Sequence, residues 1–187
     1  MPLLSLLCYH LRVKKGKKII TGIDIQKMVE RLAGEVKRKM GISNLVIVGI
    51  RRRGVELAGR LQKILQKDKR KIPFGILDIT LYRDDLSAVA KQPVVRQTRI
   101  PFDLEGRDIL LVDDVLFTGR TIRAALSELV DFGRPRSVKL LVLIDRNHRE
   151  LPIQPDFTGK FVETKSSQFI EVRLKEVDGK DSILLVE

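Results

Sequence analysis

The sequence predicts an α/β fold built on a central, mainly parallel sheet with helices on both faces. Three observations lead there. The continuous apolar runs Leu45 to Ile50, Ile109 to Val112 and Val138 to Ile144 carry no polar alternation, as strands covered on both faces require. Stretches with apolar residues at helical spacing lie between them, so strand and helix alternate. Charged clusters follow the runs directly, and ligands of such sheets bind at the carboxyl ends of the strands, near the switch in strand order.

Taken in order, the first helix opens at Thr21 with Asp24 three residues on, a variant of the capping box. Ile25, Met28, Val29, Leu32, Val36 and Met40 form its apolar stripe, and Gly41 ends it. Leu45 to Ile50 is a buried strand; Arg51-Arg52-Arg53-Gly54 interrupts it before a second amphipathic helix through about Gln66. Ile76 to Tyr82 reads as another strand. Arg83-Asp84-Asp85 then opens a polar segment to about Thr98, whose length without periodicity suits a functional lid or a disordered loop. After the strand Ile109 to Val112, a helix carries Ile122, Ala125, Leu126, Leu129 and Val130 on one stripe. Gly133-Arg134-Pro135 stops it ahead of the strand Val138 to Ile144, and the tail alternates short strands and turns around Pro152, Pro155, Gly159 and Gly179. No internal repeat or low-complexity segment is evident. The division expected is an N-terminal extension over 1–18, poorly ordered, and one domain over 19–187.

Charge and cysteine usage narrow the function class. The chain of 187 residues carries 36 Lys+Arg against 24 Asp+Glu, a formal +12, which favours polyanions, whether phosphorylated small molecules or nucleic acid. The same 32% charged content also fits a heat-adapted surface laced with ion pairs. Cys8 is the only cysteine, so no intramolecular disulfide can form. His10 and His148 stand far apart without metal-ligand spacing, which argues against a protein-ligated metal. No stretch reaches membrane-spanning length, and the basic cluster Lys14 to Lys18 follows the Leu3 to Leu7 run instead of preceding it, unlike a signal peptide. The expectation is a soluble cytoplasmic protein with no membrane partner. Lys14 to Lys18 and Lys67 to Lys71 read as solvated faces.

The most informative stretch is Ile109 to Thr121, where an apolar run ends in Asp113 and Asp114 and passes through Val115, Leu116 and Phe117 into Thr118-Gly119-Arg120-Thr121. The turn lies where strand gives way to helix. Unsatisfied N–H groups and the positive end of the helix dipole suit a phosphate there. Gly119 lets the backbone approach the anion, and Thr118 and Thr121 offer hydroxyl donors. Asp113 and Asp114 accept hydrogen bonds when ionised, so they would repel phosphate and bind sugar hydroxyls. Together these imply a ligand carrying both a diol and a phosphate. An Asp-Asp pair alone would equally serve as a loop start and helix cap; the whole string is far more specific.

That string resembles the phosphoribosyl pyrophosphate (PRPP) signature of type I phosphoribosyltransferases. The resemblance sharpens with Leu77 to Leu86 (LDITLYRDDL) and with Asp145-Arg146-Asn147-His148-Arg149-Glu150-Leu151-Pro152. In order and spacing these three strings are similar to the PyrR family, over about Ile19 to the C-terminus. That family comprises pyrimidine-operon attenuation regulators that are also uracil phosphoribosyltransferases. The resemblance implies a type I phosphoribosyltransferase fold with a small hood and a mobile lid.

By the same resemblance, Asp113 and Asp114 hold the ribose hydroxyls, and the loop from Asp113 to Thr121 holds ribose and 5-phosphate. Arg52, Arg53 and Gly54 cradle the pyrophosphate, although the family commonly has threonine where this chain has Arg52. Arg53 and Arg83 join Asp113 and Asp114 as catalytic residues, with Arg83 also on the pyrophosphate. Asp84 and Asp85 begin the lid, and Arg146 helps form the uracil pocket. Asn147 stands where glycine is usual, and Asn tolerates positive φ better than most residues. His148 and Arg149 are candidate RNA contacts; they could equally cap a strand end or pair with Glu150. The ligands implied are uracil, PRPP with its Mg²⁺, UMP, UTP and a hairpin in the leader of pyrimidine messenger RNA, bound by a homodimer or homotetramer. A salvage enzyme without RNA regulation is the alternative. Seven Phe, two Tyr and no Trp leave little for base stacking, so RNA recognition would use shape, phosphates and polar contacts.

Overall fold

The computed structural model describes residues 16–66, 71–81 and 98–187. Cys8, His10, most of the N-terminal extension and the expected lid residues Arg83, Asp84 and Asp85 lie outside them.

The chain runs β1 (Gly16–Thr21), α1 (Gly22–Met40), β2 (Leu45–Ile50), α2 (Arg53–Leu65), β3 (Phe74–Leu77), a 3₁₀ turn (Ile79–Leu81), β4 (Asp108–Leu116), α3 (Arg120–Asp131), β5 (Ser137–Asp145), β6 (Phe157–Phe161), β7 (Phe169–Arg173), α4 (Lys175–Asp178) and β8 (Ser182–Val186). The main sheet has five strands in the order β3-β2-β4-β5-β6, all parallel. Successive residues of its strands face opposite sides, and each side has its own core. Ile47, Leu110, Val112, Leu141 and Leu143 pack with Ile25, Val29 and Leu32 of α1 and Leu57 and Leu61 of α2. Val46, Val48, Ile109, Leu111, Leu140 and Val142 pack with Ile122, Ala125 and Leu129 of α3. Polar alternation is absent from β2 and from the buried stretches of β4 and β5 because both faces are covered.

The capping box at Thr21 is complete: the Asp24 N–H donates to Thr21 Oγ1 at 3.3 Å, and the Thr21 N–H donates to the Asp24 carboxylate at 3.3 Å. Three boundaries differ from the sequence reading. The strand expected over Ile76 to Tyr82 is shorter, β3 giving way to the 3₁₀ turn at Asp78, whose carboxylate accepts the Thr80 N–H at 3.1 Å. β4 continues past Val112 to Leu116, so Asp113 and Asp114 belong to the strand and do not follow it. The short strands expected in the tail divide between two sheets: β6 joins the main sheet, while β1, β8 and β7 form a separate antiparallel sheet, the hood, in that order. Gly16 to Lys18, assigned to the extension, are part of β1 and pair with β8.

Both edges of the main sheet meet other parts of the chain. Ile76 of β3 exchanges two backbone hydrogen bonds with Arg99, each 2.8 Å. On β6 the Arg31 guanidinium donates to the carbonyls of Thr158 at 3.0 Å and Gly159 at 2.7 Å.

Candidate functional site

The switch in strand order falls between β2 and β4, because the chain leaves β2 for β3 on one side and returns to β4 on the other. The segments after these two strands therefore diverge around a crevice. The first, Arg51 to Gly54, leads straight into α2 and contains a cis peptide between Arg51 and Arg52. Gly54 is buried against β4: a Cβ there would lie 2.5 Å from the Val112 carbonyl oxygen and 3.1 Å from the Asp113 Cα. The absent side chain thus sets how closely the Arg51 to Gly54 segment approaches the acidic pair.

The second segment wraps a pocket of about 240 Å³ lined by Val115 to Ile122. Gly119 caps α3 with φ at 94°, a left-handed conformation that glycine adopts without steric cost. The segment after β5 supports the loop from behind: the N–H groups of Glu150 and Leu151 donate to the Thr118 carbonyl at 3.0 and 3.2 Å, and the Arg146 N–H donates to the Leu116 carbonyl at 3.0 Å. Arg120 pairs with Glu150 at 2.6 Å across the same contact. The main-chain N–H groups at the start of α3, with the dipole behind them, make this a cradle for an anion.

Beside the cradle, Asp113 is buried and accepts the Asp114 N–H at 2.9 Å. Burial pushes the Asp114 carboxyl above the usual carboxylate range, against the lowering pull of Asp113 and of the nearby Arg53 guanidinium. Among the described residues no group of three or more His, Cys, Asp or Glu could cage a metal. Two adjacent carboxylates do fit Mg²⁺ of the kind that keeps its waters and is shared with substrate phosphates.

Arg53 makes a bidentate ion pair with Asp178 of α4, with nitrogen to oxygen distances of 3.1 and 2.8 Å. Its guanidinium is held above its ordinary value by that contact, and Asp178 is held below its own by the same contact. Arg52 is exposed at the N-cap of α2. Arg146 is buried, its guanidinium 3.9 Å from the centre of the Phe117 ring, with Nε donating to Thr164 Oγ1 at 3.1 Å and Nη2 to the Gln168 carbonyl. His148 meets the same ring edge-on at 5.4 Å and bonds the Thr164 carbonyl through Nε2 at 2.6 Å. Asn147 takes φ of 58°, the conformation its glycine counterpart would adopt freely.

Arg149 braces the inside of the loop. It pairs with Asp145 at 2.6 Å and donates to the carbonyls of Ile153 at 2.8 Å and Phe117 at 3.0 Å, leaving its side chain only 11% exposed. Its acidic partner is thus Asp145; Glu150, the alternative from the sequence, is taken by Arg120. Thr164, Gln168 and Asp178 escaped the sequence reading because they lie in the tail, remote in sequence from the residues they bond, within no recognisable motif. The Asp145 to Pro152 string was the available signal that something must meet Arg146.

Comparison with known proteins agrees with this geometry. Residues 18–176 match the phosphoribosyl transferase domain family. The bifunctional protein PyrR of Pelotomaculum thermopropionicum is 53% identical over 176 residues, covering 93% of this chain and 97% of that protein. That of Deinococcus deserti is 52% identical over 169 residues, covering 89% and 92%. Among solved structures, the hypoxanthine phosphoribosyl transferase of Trypanosoma cruzi superposes with a TM-score of 0.71 at 16% identity over 94% of this chain and 93% of that one. A hypoxanthine phosphoribosyltransferase from Staphylococcus aureus gives 0.69 at 19% identity, covering 97% and 98%. At such identities these likenesses show the fold alone. With an anion cradle, an acidic pair and a hood around one crevice, and half its residues shared with full-length relatives, the chain belongs to the PyrR family of phosphoribosyltransferases.

Proposed function

We propose that this protein regulates pyrimidine gene expression by binding leader RNA in response to uridine nucleotides, and that it makes UMP and pyrophosphate from uracil and PRPP. The observation that carries the reading is the coincidence of the Asp113 to Thr121 cradle with the switch point of the sheet, in a chain about half identical to bifunctional PyrR proteins over some nine-tenths of its length. In the reaction, uracil N1 attacks C1′ of PRPP as pyrophosphate leaves, through a loose transition state with positive charge on the ribose. Positioning and charge stabilisation supply most of the catalysis. Thr118 to Thr121 hold the 5-phosphate, Asp113 and Asp114 the ribose diol, Arg52 to Gly54 the pyrophosphate, and Arg146 with Thr164 the uracil side. When bound with PRPP, Mg²⁺ would screen the pyrophosphate charge. On this reading the protein works in the cytoplasm as a homodimer or homotetramer. Leu126, Val130 and Phe132, exposed along and just beyond α3, support self-association.

For RNA, α1, which covers the side of the sheet opposite α3, and the neighbouring β6 offer Lys27, Lys39 and Lys160, all exposed. This surface suits phosphates better than the braced Arg149. The enzymatic half is tested by incubating the protein with PRPP, Mg²⁺ and each nucleobase in turn. UMP from uracil is expected, whereas reaction of hypoxanthine, adenine or orotate in place of uracil would overturn the substrate assignment.

A further inference from the structure

Arg53 opens α2 beside the crevice, yet its guanidinium is held from the hood. Asp178 takes both Nε and Nη2, and is itself fixed from within: its carboxylate accepts the Leu174 N–H at 2.9 Å, and its own N–H donates to the Leu174 carbonyl at 2.7 Å. Two turns along α2, Arg60 grips Glu176 with Nε at 2.9 Å and Asp181 with Nη1 at 2.8 Å. The hood is thus docked on α2 by two arginines through three ion pairs, of which only Arg53–Asp178 adjoins the site. A guanidinium has five N–H donors in a rigid fork. Asp178 uses two and leaves the others for an anion.

We propose that Asp178 is a positioning residue for phosphoribosyl transfer, holding the Arg53 fork so that its remaining donors meet the pyrophosphate and thereby coupling the hood to the pyrophosphate segment. The proposal rests on the reading of the crevice as a PRPP site. Without Asp178, the cost of ordering a long flexible side chain falls on ligand binding. Removing a negative charge near an anion works the other way. That effect is screened, because the Arg53 and Asp178 side chains are 29% and 19% exposed.

The test uses the full chain, with Mg²⁺-pyrophosphate as a calorimetric probe, alongside steady-state kinetics and thermal melts. Asp178→Asn is expected to bind pyrophosphate about ten-fold more weakly, the loss of roughly one charge-assisted hydrogen bond. The KM for PRPP rises by a like factor and that for uracil does not. Asp178→Glu recovers part of the loss. Arg53→Lys is as damaging alone, and adding Asp178→Asn to it changes nothing more. Glu176→Gln, which loosens only the distant pair, leaves pyrophosphate binding intact. Wild-type or tighter pyrophosphate binding in Asp178→Asn overturns the proposal, as does an equal loss in Glu176→Gln, which would reduce the contact to general docking of the hood. Failure of the unmodified protein to bind either pyrophosphate or PRPP would sink the reading of the site itself, and the proposal with it.

Discussion

The Asp114 carboxyl sits half-buried near the end of an apolar strand, where burial raises it above its ordinary 3.8. A carboxyl whose folded-state value exceeds its unfolded one favours folding while protonated, and that contribution is lost as pH rises from the unfolded value through the folded one. As pH rises through that window, Asp114 therefore comes to cost stability. Asp114→Asn should melt at a higher temperature than the unmodified protein at pH 7, with the gap closing below the ordinary carboxyl range. It should also lose a charge-assisted contact of about 1.5 to 3 kcal/mol to the ribose diol, roughly ten- to a hundred-fold in kcat/KM. Calorimetric melts across pH, paired with initial rates, check both halves; unchanged kinetics would make the carboxylate merely structural. The acidic pair was legible from sequence because both residues lie in one short string. Asp178, the partner of Arg53, was not: nothing in the local pattern around it distinguishes an acid that reaches α2 from one that only caps a turn.

Among the elements, α2 lies against β4 through Gly54, with no room for even one carbon. In Gly54→Ala the new Cβ meets the Val112 carbonyl and the Asp113 backbone, which belong to a central strand and cannot yield cheaply. The helix must lift instead. Overpacking of this kind costs about 1 to 3 kcal/mol, so the urea midpoint should fall with little change in slope. Because the lifted residues include the segment proposed to hold pyrophosphate, the KM for PRPP should rise as well. A destabilised variant with unaltered KM would show that segment and helix move independently. α1 was legible almost residue by residue, since a capping box, an apolar stripe and a terminal glycine are all local signals. It stopped β4 at Val112 because charge normally ends a buried run, whereas here parallel pairing with β5 carries the strand on to Leu116. β3 failed in the opposite sense, cut short where the Asp78 side chain captures the backbone of Thr80.

For the whole molecule, the hood joins the start of the described chain to its end, β1 pairing with β8, and such long-range pairing leaves no periodic trace in sequence. The α/β core was legible because its strands are continuous apolar runs. The surplus of positive charge was legible too, but composition does not say where it gathers. With the regulatory reading, a cognate leader hairpin should bind more tightly when UMP or UTP is present, and UMP should bind more tightly by the same factor when the hairpin is present. Charge alone would give no such coupling; it would bind scrambled RNA nearly as well and weaken steeply with salt. Comparing cognate and scrambled hairpins at near-physiological salt, with and without UMP, decides between the two, and equal affinities throughout would leave a salvage enzyme. The sheet edges set a different limit on how copies of this protein can meet. A bare strand edge is a template on which a foreign strand can grow, the route by which β-rich proteins turn into fibrils. At Ile76, and at the carbonyls of Thr158 and Gly159, where a sixth strand would have to begin, the main chain is already engaged by Arg99 and Arg31. Crowded copies are therefore steered away from templated growth, since an incoming strand must first displace a guanidinium from β6 and a backbone partner from β3.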